Sequence, residues 1–366
     1  MRVLFSPDMF VMQRFGGITR YFAEIHSELV KAGIDARIFA GLHGNEYVNR
    51  RSATWELRLP WHQRLRLSRA AFRAYVAAQR GPYIVHPTYY TTRMLPGSRP
   101  HVCTFHDLIH FKYPTYFSPS DNTVERQLYW ARHADRIIAV SHSTAEDLVA
   151  LFRVPRHKIA VVHHGVRIPT TMKRDVGDYL LYVGTRNGWK NWPIVLKALL
   201  ARECATLRLV CAGGGAPTPQ EMTLLADLGL SRRVEFVQAG EKELDGLYRN
   251  ALALVYPSLY EGFGLPLLEA MARGVPVVAS RTSSIPEVAG DAALLFSPRE
   301  VDELVHAIEG LFDDSTRREL EKRGRERAGK FSWTRTARQT IEVYRDLLPD
   351  GLPSVLRESG PTGVDR

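Results

Sequence analysis

Short apolar runs alternate with helical patterns along almost the whole chain, and this alternation constrains the fold more than any other feature. In the first half, the strand patterns lie at 2–6, 36–40, 84–88, 101–105, 136–141 and 159–163. Helical patterns such as 19–32 and 143–151 lie between them. Parallel strands need crossover connections of this kind, because every strand starts at the same edge of the sheet. The pattern therefore predicts a parallel sheet that is covered by helices.

The alternation restarts after a polar stretch without periodicity at 166–178. The second set of strand patterns lies at 179–184, 206–212, 234–238, 252–256, 276–280 and 293–296. Its helical patterns lie at 191–203, 219–228, 241–250, 266–273, 300–312, 314–330 and 332–348. Two such sets suit a chain of 366 residues with 45% hydrophobic residues, which is long enough to form two domains.

We therefore predict an α/β protein with two doubly wound, Rossmann-like domains that face each other across a cleft and bind ligands at the carboxyl ends of their strands. The predicted boundaries are 1–168 and 179–330 for the two domains and 331–348 for a last helix. The tail at 349–366 is rich in Gly, Pro and Ser, which predicts disorder. The cysteines show no metal-ligand spacing and are interpreted as core residues: Cys103, Cys204 and Cys211.

A tight loop and a helix start follow the strand pattern at 252–256. Gly264 interrupts the apolar run, and Pro266 falls where the first turn of a helix accepts proline. In such a loop the amides of Phe263, Gly264 and Leu265 are unpaired donors at the positive end of the helix dipole. The loop therefore predicts an anion-binding site.

Two glutamates, Glu261 and Glu269, flank this loop. Carboxylates accept hydrogen bonds from hydroxyl groups, so donors for a phosphate and acceptors for a sugar lie side by side. That combination is typical of a site for a sugar nucleotide. The alternative is an ordinary strand-to-helix turn whose glutamates face solvent.

A second strand-to-helix junction carries cations, because Thr185, Arg186 and Lys190 follow the strand pattern at 179–184. A leaving diphosphate develops negative charge, which fixed cations stabilise without a metal ion. No Asp-x-Asp follows a strand, so we expect neither a metal nor another cofactor. Surface placement of Arg186 and Lys190 is the alternative.

Two loops of the first half also have ligand-binding features. Gly16 and Gly17 precede the helical pattern at 19–32, and paired glycines let a ligand approach the backbone closely. His106 follows the strand pattern at 101–105, at the edge of the sheet where ligands are expected. We interpret His106 as functional; the alternative is a structural histidine.

Taken together, these motifs resemble glycosyltransferase family 4, whose fold is called GT-B. The segment from Glu261 to Glu269 matches the Glu-x7-Glu signature of that family. The resemblance implies that Glu261 holds hydroxyls of the donor sugar, Glu269 the nucleotide ribose and Lys190 the diphosphate. Thr185 stands where many members carry a second basic residue. Arg186 follows one position later, so its contact with the diphosphate stays open.

The resemblance extends to the first half of the chain. Family members carry a glycine pair near the donor phosphate and the acceptor, and this pair corresponds to Gly16 and Gly17. The histidine of the family's His-Asp step contacts the donor sugar, and it corresponds to His106. The resemblance thus implies catalytic roles for His106, Glu261 and Lys190. It also implies that the last helix crosses back to the first domain.

Three segments are similar to bacterial O-antigen and exopolysaccharide mannosyltransferases: 105–109, 184–185 and 280–297. This similarity implies a retaining α-glycosyltransferase that moves a hexose, with mannose from GDP-mannose as the first choice. The implied acceptor is a glycan or a polyprenyl-diphosphate-linked glycan in the synthesis of a surface polysaccharide such as lipopolysaccharide. A UDP-sugar-dependent glucosyltransferase is the alternative among enzymes.

Positive charge is concentrated in the first half, which up to residue 170 has 23 Lys and Arg against 12 Asp and Glu. Much of the excess lies at 50–80, where Arg alternates with Trp and Leu. This mixture suits an anionic membrane surface, and a helix pair with a solvated basic face is the equal alternative. A pI of about 9.6 also permits an anionic-polymer or nucleic-acid binding protein, but no nucleic-acid motif organises the arginines, so we expect no nucleic-acid partner.

The sequence has neither an apolar run of 18 residues nor a signal-peptide pattern at its N-terminus. We therefore expect a cytoplasmic protein, with peripheral attachment to the inner face of the plasma membrane as an option.

Overall fold

The computed structural model describes residues 1–48, 59–90, 99–170, 174–186 and 188–348. The predicted disordered tail and the first part of the basic segment at 50–80 lie outside the described residues. Two compact units form. The first contains Met1–Leu108, Pro119–Gly165 and the chain from Trp333 onward. The second contains Ile109–Ser118 and Val166–Ser332.

All twelve predicted strands are confirmed, with ends that shift by one or two residues. In chain order they are β1 (Arg2–Phe5), β2 (Asp35–Ile38), β3 (Tyr83–His86), β4 (Val102–Phe105), β5 (Arg136–Ala139), β6 (Ile159–Val161), β7 (Tyr179–Val183), β8 (Arg208–Ala212), β9 (Val234–Val237), β10 (Ala253–Tyr256), β11 (Val277–Ser280) and β12 (Leu294–Phe296).

The α-helices follow the predicted helical patterns and add several short ones. In chain order they are α1 (Asp8–Met12), α2 (Gly17–Lys31), α3 (Trp61–Ala77), α4 (Ile109–Lys112), α5 (Thr123–His133), α6 (His142–Phe152), α7 (Trp192–Leu199), α8 (Pro219–Asp227), α9 (Glu241–Asn250), α10 (Leu265–Ala272), α11 (Ile285–Ala289), α12 (Val301–Glu309), α13 (Asp314–Gly329) and α14 (Trp333–Arg345).

The first unit is built on parallel strands in the orders β2–β1–β3 and β4–β5–β6. An isolated parallel bridge between Val85 and His101 connects the two groups. Strands β1, β3, β4 and β5 are mostly apolar and buried, as expected for a parallel sheet with helices on both faces, whereas β2 and β6 are only partly buried.

The last helix, α14, belongs to the first unit. Its buried side chains recur at helical spacing, and a hydrogen-bond network fixes its end. His86 Nδ1 lies 2.6 Å from the Tyr344 hydroxyl oxygen, and His86 Nε2 lies 2.8 Å from Thr104 Oγ1. Because Tyr344, His86 and Thr104 are all buried, losing any one of them would leave a buried polar atom unpaired.

Helix α3 contains most of the described part of the basic segment. Its inner face packs Phe72 and Val76 against Leu4 of β1. Arg69 also points inward, where its Nε donates to Oδ1 of the buried Asp8 at 2.7 Å. Arg69 therefore does not belong to an outward-facing basic surface, because the buried Asp8 carboxylate requires a cationic partner.

The second unit has one six-stranded parallel sheet in the order β12–β11–β10–β7–β8–β9. The chain runs from β7 to β9 on one side and then crosses to β10, from which it continues to the opposite edge. The strand order therefore reverses between β7 and β10, which is the topological switch point of a doubly wound fold. Ligands of such folds bind outside the carboxyl ends of the two strands at that point.

Candidate active site

The loops that follow β7 and β10 bring two predicted site residues into contact. Lys190 ends a short 3₁₀ helix after β7, and Glu261 lies in the loop after β10. Lys190 Nζ donates to Glu261 Oε1 at 2.6 Å. The two side chains are only 18% and 12% exposed, so the alternative of surface placement is wrong for Lys190.

A buried tyrosine supports this ion pair. Lys190 Nζ lies 5.3 Å from the centroid of the Tyr256 ring and 3.4 Å from its hydroxyl oxygen. Burial raises the pKa of the Tyr256 hydroxyl, and the negative charge of Glu261 raises it further. Tyr256 is therefore a buried, neutral neighbour of the pair.

The loop that carries Lys190 is fixed by its own backbone. Asn191 adopts a left-handed conformation with φ of 53°, and its Nδ2 donates to the carbonyl oxygens of Pro257 and Pro298. Asparagine tolerates this conformation better than most residues. At the other end of the loop, the Tyr182 hydroxyl donates to the carbonyl oxygen of Thr185 at 2.6 Å, while the Thr185 side chain is exposed.

Arg186 lies inside the second unit, and the alternative that it points to solvent is wrong. Its side chain is 2% exposed and its Nε donates to Glu221 Oε1 at 2.9 Å. Other guanidinium hydrogens reach the carbonyl oxygens of Gly213 and Gly215, and the group lies 4.7 Å from the centroid of the Phe236 ring. A contact between Arg186 and a diphosphate stays a prediction.

The predicted anion-binding loop ends in a glycine that no other residue would replace easily. Gly264 has φ of 100° and precedes α10, so the chain turns sharply into the helix. Phe263 is buried, and Leu265 begins the helix.

Glu269 lies one turn into α10 and is 9% exposed. Its Oε2 accepts a hydrogen bond from the Tyr248 hydroxyl at 2.9 Å. The alternative of a solvent-facing glutamate is therefore wrong for Glu269. Tyr248 was not anticipated, because it lies 21 residues away on another helix and no local pattern pairs it with Glu269.

Residues 109–118 form an aromatic segment that the sequence analysis also missed. The segment belongs to the second unit, although the chain on both sides of it belongs to the first. The Phe117 ring stacks on the Trp189 ring with their centroids 5.1 Å apart, and the Tyr113 hydroxyl donates to the carbonyl oxygen of Leu259 at 3.4 Å. The segment thus supports the residues next to Lys190 and those next to Glu261.

In the first unit, Gly16 directly precedes α2 and Gly17 is its first residue. Gly16 precedes the helix in an extended conformation, and its carbonyl oxygen accepts from Thr19 Oγ1 at 2.9 Å.

His106 directly follows β4 and is 9% exposed. Burial lowers the pKa of His106 to about 3, so the imidazole is neutral near pH 7. Its ring packs against Tyr21 and Phe22, and its Nε2 has no hydrogen-bond partner among the residues that the structure describes. A buried ring nitrogen without a partner fits a residue that hydrogen-bonds a ligand hydroxyl.

Within the described ranges, we find no helix that combines the length and the apolar character needed to cross a membrane.

The second unit's switch-point site and the two Rossmann-like sheets define the GT-B glycosyltransferase fold. The chain matches sucrose-phosphate synthase from Thermosynechococcus elongatus with a TM-score of 0.74 and 23% identity, over 95% of this chain and 99% of that chain. A glycosyltransferase from Rickettsia africae matches with a TM-score of 0.70 and 17% identity, over 96% and 99% of the two chains.

Residues 15–168 match Glycosyltransferase Family 4, and residues 171–327 match Glycosyl transferases group 1. The O-antigen chain mannosyltransferase B of Escherichia coli is 34% identical over 72% of this chain and 74% of the relative. The MMP alpha-(1->4)-mannosyltransferase of Mycolicibacterium hassiacum is 35% identical over 62% of this chain and 57% of that relative. The chain belongs to glycosyltransferase family 4, and the protein is an enzyme of the hexosyl-transferring class.

Proposed function

We propose that this glycosyltransferase is a retaining mannosyltransferase that uses GDP-mannose and a glycan or lipid-linked glycan acceptor in surface polysaccharide synthesis. The ion pair of Lys190 and Glu261 at the switch point is the observation that carries the proposal, because it joins a cation for a diphosphate to an acceptor for sugar hydroxyls. The names of the two relatives, which are both mannosyltransferases, support mannose as the transferred sugar.

Each site residue has a role in this proposal. Lys190 has three N–H donors, so it can retain Glu261 and bind a phosphate oxygen at the same time. Glu261 accepts hydrogen bonds from the donor sugar, and Glu269 accepts them from the ribose. The amides of Phe263, Gly264 and Leu265 face the diphosphate. The neutral His106 ring forms a hydrogen bond with a hydroxyl group of the donor sugar.

The proposed transfer proceeds on one face of the sugar. The bond between the anomeric carbon and the leaving phosphate oxygen breaks, and the acceptor oxygen forms a new bond to the same face of that carbon. The proton of the acceptor hydroxyl passes to the leaving diphosphate. The reaction therefore needs positioning and charge stabilisation from the protein, rather than a catalytic base.

The donor is tested with a panel of GDP-, UDP- and dTDP-sugars, in which thermal shift and slow donor hydrolysis are measured. We expect GDP-mannose to raise the melting temperature most and to be hydrolysed fastest. A preference for UDP-glucose would support the glucosyltransferase alternative. An anionic-polymer binding protein would hydrolyse none of these sugars, and its polymer binding would weaken steeply with salt.

Metal independence is a further part of the proposal. Lys190 and the loop amides would stabilise the leaving diphosphate in place of a divalent ion. Excess EDTA should then leave the transfer rate within about twofold, which is a barrier change of less than about 0.5 kcal/mol. Loss of activity that magnesium or manganese restores would contradict this expectation.

We also propose that the outer face of α3 attaches the enzyme to an anionic membrane that holds a lipid-linked acceptor. Leu67 is 52% exposed, and Arg66 and Arg73 are exposed on the same helix. Trp61, the first residue of the helix, is also 52% exposed, although it lies in register with the buried Leu65 and Ser68. Exposed Trp and Leu beside Arg suit an interface in which apolar side chains enter the headgroup layer and cations attract the lipid charge.

A further inference from the structure

The last residue of β11 and the turn that leads into α11 hold the loop that carries Glu261 through a series of hydroxyl groups. Their partners are backbone atoms of the loop at 258–263. Ser280 Oγ donates to the carbonyl oxygen of Ser258 at 2.5 Å, and Thr282 Oγ1 donates to that of Leu259 at 3.2 Å. Ser284 Oγ lies 2.9 Å from the carbonyl oxygen of Glu261 and 3.1 Å from that of Phe263, and Ser283 Oγ accepts a hydrogen bond from the Glu261 amide at 2.8 Å.

Glu261 is consequently fixed on three sides. Ser283 holds its amide, Ser284 holds its carbonyl oxygen, and Lys190 holds its carboxylate. We propose that Ser283 and Ser284 are positioning residues for Glu261: they set the place of its carboxylate through its backbone and do not touch the donor themselves. This inference rests on the proposed function, in which Glu261 contacts the donor sugar.

Ser283 adopts a backbone conformation that is unfavourable for serine. Its φ is 49°, in the left-handed region that usually favours glycine. Glycine would remove the strain, but it has no hydroxyl to accept the Glu261 amide. Strained residues of this kind persist where the surrounding structure over-determines them, and they concentrate at functional sites.

Ser284 also forgoes a local interaction. It occupies the N-cap position of α11, where serine normally accepts a hydrogen bond from an amide of the first helical turn. Its side chain makes no such bond here. The single hydroxyl hydrogen is instead shared between the carbonyl oxygens of Glu261 and Phe263. Both serines thus use their side chains on the glutamate loop at the expense of local stability.

The test compares variants that remove the hydroxyl with and without the backbone strain. Ser283→Ala and Ser283→Gly both lose the acceptor for the Glu261 amide, whereas only Ser283→Gly relieves the strain. We expect kcat to fall about tenfold in both variants, because a tenfold change corresponds to the contribution of about one hydrogen bond. The donor KM should change less than kcat. Ser283→Gly should nevertheless melt at a higher temperature than Ser283→Ala.

Three further variants separate positioning from stability. Ser283→Asn should recover part of kcat, because Asn tolerates the left-handed region and offers an acceptor oxygen. Ser284→Ala should lower kcat in the same way as Ser283→Ala. Asp313→Ala is the matched control: it removes a working helix cap of α13 in the same unit, so it should lower the melting temperature and leave kcat unchanged.

A double-variant cycle distinguishes this inference from the proposed function. In the Glu261→Ala background, Ser283→Ala should cause no further loss, because the carboxylate that it positions is gone. If Glu261→Ala abolishes transfer while Ser283→Gly keeps kcat within twofold, the positioning role is wrong and the role of Glu261 stands. If Glu261→Ala itself remains active, the proposed function fails.

Discussion

At the scale of single residues, the ion pair of Lys190 and Glu261 is the most informative feature of the second unit. Both side chains are largely removed from water, so either one alone would be a poorly compensated charge. The structure keeps this pair at the switch point of the sheet, where a ligand that combines an anionic diphosphate with neutral sugar hydroxyls can contact both partners.

Glu261→Ala and Lys190→Ala should each abolish most transfer. One variant removes an acceptor for sugar hydroxyls and the other a cation for the leaving diphosphate, and each is worth roughly 2 to 4 kcal/mol in the transition state. The measurement is kcat/KM for the donor at subsaturating concentration, with melting temperature as the control for folding. Turnover close to that of the wild type in either variant would refute the assigned roles.

Glu269→Ala should raise the donor KM more than it lowers kcat, because a ribose contact is made equally in the ground state and the transition state. Tyr248→Phe should act in the same direction with a smaller effect, since it removes the hydroxyl that donates to Glu269 Oε2. Steady-state kinetics over a range of donor concentrations provide the measurement. A fall in kcat without a change in KM would place Glu269 in the chemical step.

At the scale of elements, α3 shows how one helix divides its basic residues between two environments. Arg69 pairs with the buried Asp8, whereas Arg66 and Arg73 are exposed. An Arg69→Glu variant would place a second carboxylate beside the buried Asp8. A loss of function in that variant would therefore reflect a folding defect. Only variants of the exposed arginines test the proposed membrane binding.

The double variant Arg66→Glu with Arg73→Glu should weaken binding to anionic vesicles by about 1 kcal/mol for each residue changed. The matched control reverses Arg318 and Lys322, two exposed cations of α13, and should leave vesicle binding unchanged. Co-sedimentation at low and physiological salt decides the matter. If the wild type ignores anionic vesicles at both salt concentrations, the outer face of α3 is a solvated surface and the acceptor is soluble.

At the scale of the whole molecule, buried histidines should make stability depend on pH. Burial lowers the pKa of His86 and His106 to about 3, and it also lowers that of His164. A histidine in the unfolded chain has a pKa of about 6.5, so between pH 6.5 and 3 the unfolded chain binds more protons than the folded one. These histidines therefore leave the free energy of unfolding at its full value above about pH 6.5 and lower it as the pH falls below that value.

Urea unfolding at pH 7.5 and 5.5 tests this expectation. Each such histidine should lower the unfolding free energy by up to about 1.4 kcal/mol for each pH unit below about 6.5. Carboxylates contribute little in this window, because those with shifted values, such as Asp35 and Asp178, have a lowered pKa. Equal stability at the two pH values would contradict the burial of neutral histidines.

Much of the fold could be predicted because it depends on local spacing. Strand patterns, helix periods and the Gly264 turn act within a few residues, and all appear where the sequence places them. The aromatic segment 109–118 could not be assigned in this way, because its packing on Trp189 involves residues about seventy positions apart. Only the fold brings such residues together.

The sequence by itself determined the two Rossmann-like sets of strands, the glycosyltransferase family and the glutamates and lysine of the candidate site, since all of these are properties of short segments. The tertiary structure alone decided which side chains hold them. Arg186 turns inward to Glu221, Arg69 reaches Asp8, and the serines after β11 fix the backbone of Glu261. These partners lie 22 to 61 residues apart along the chain, so their contact depends on packing and not on local propensity.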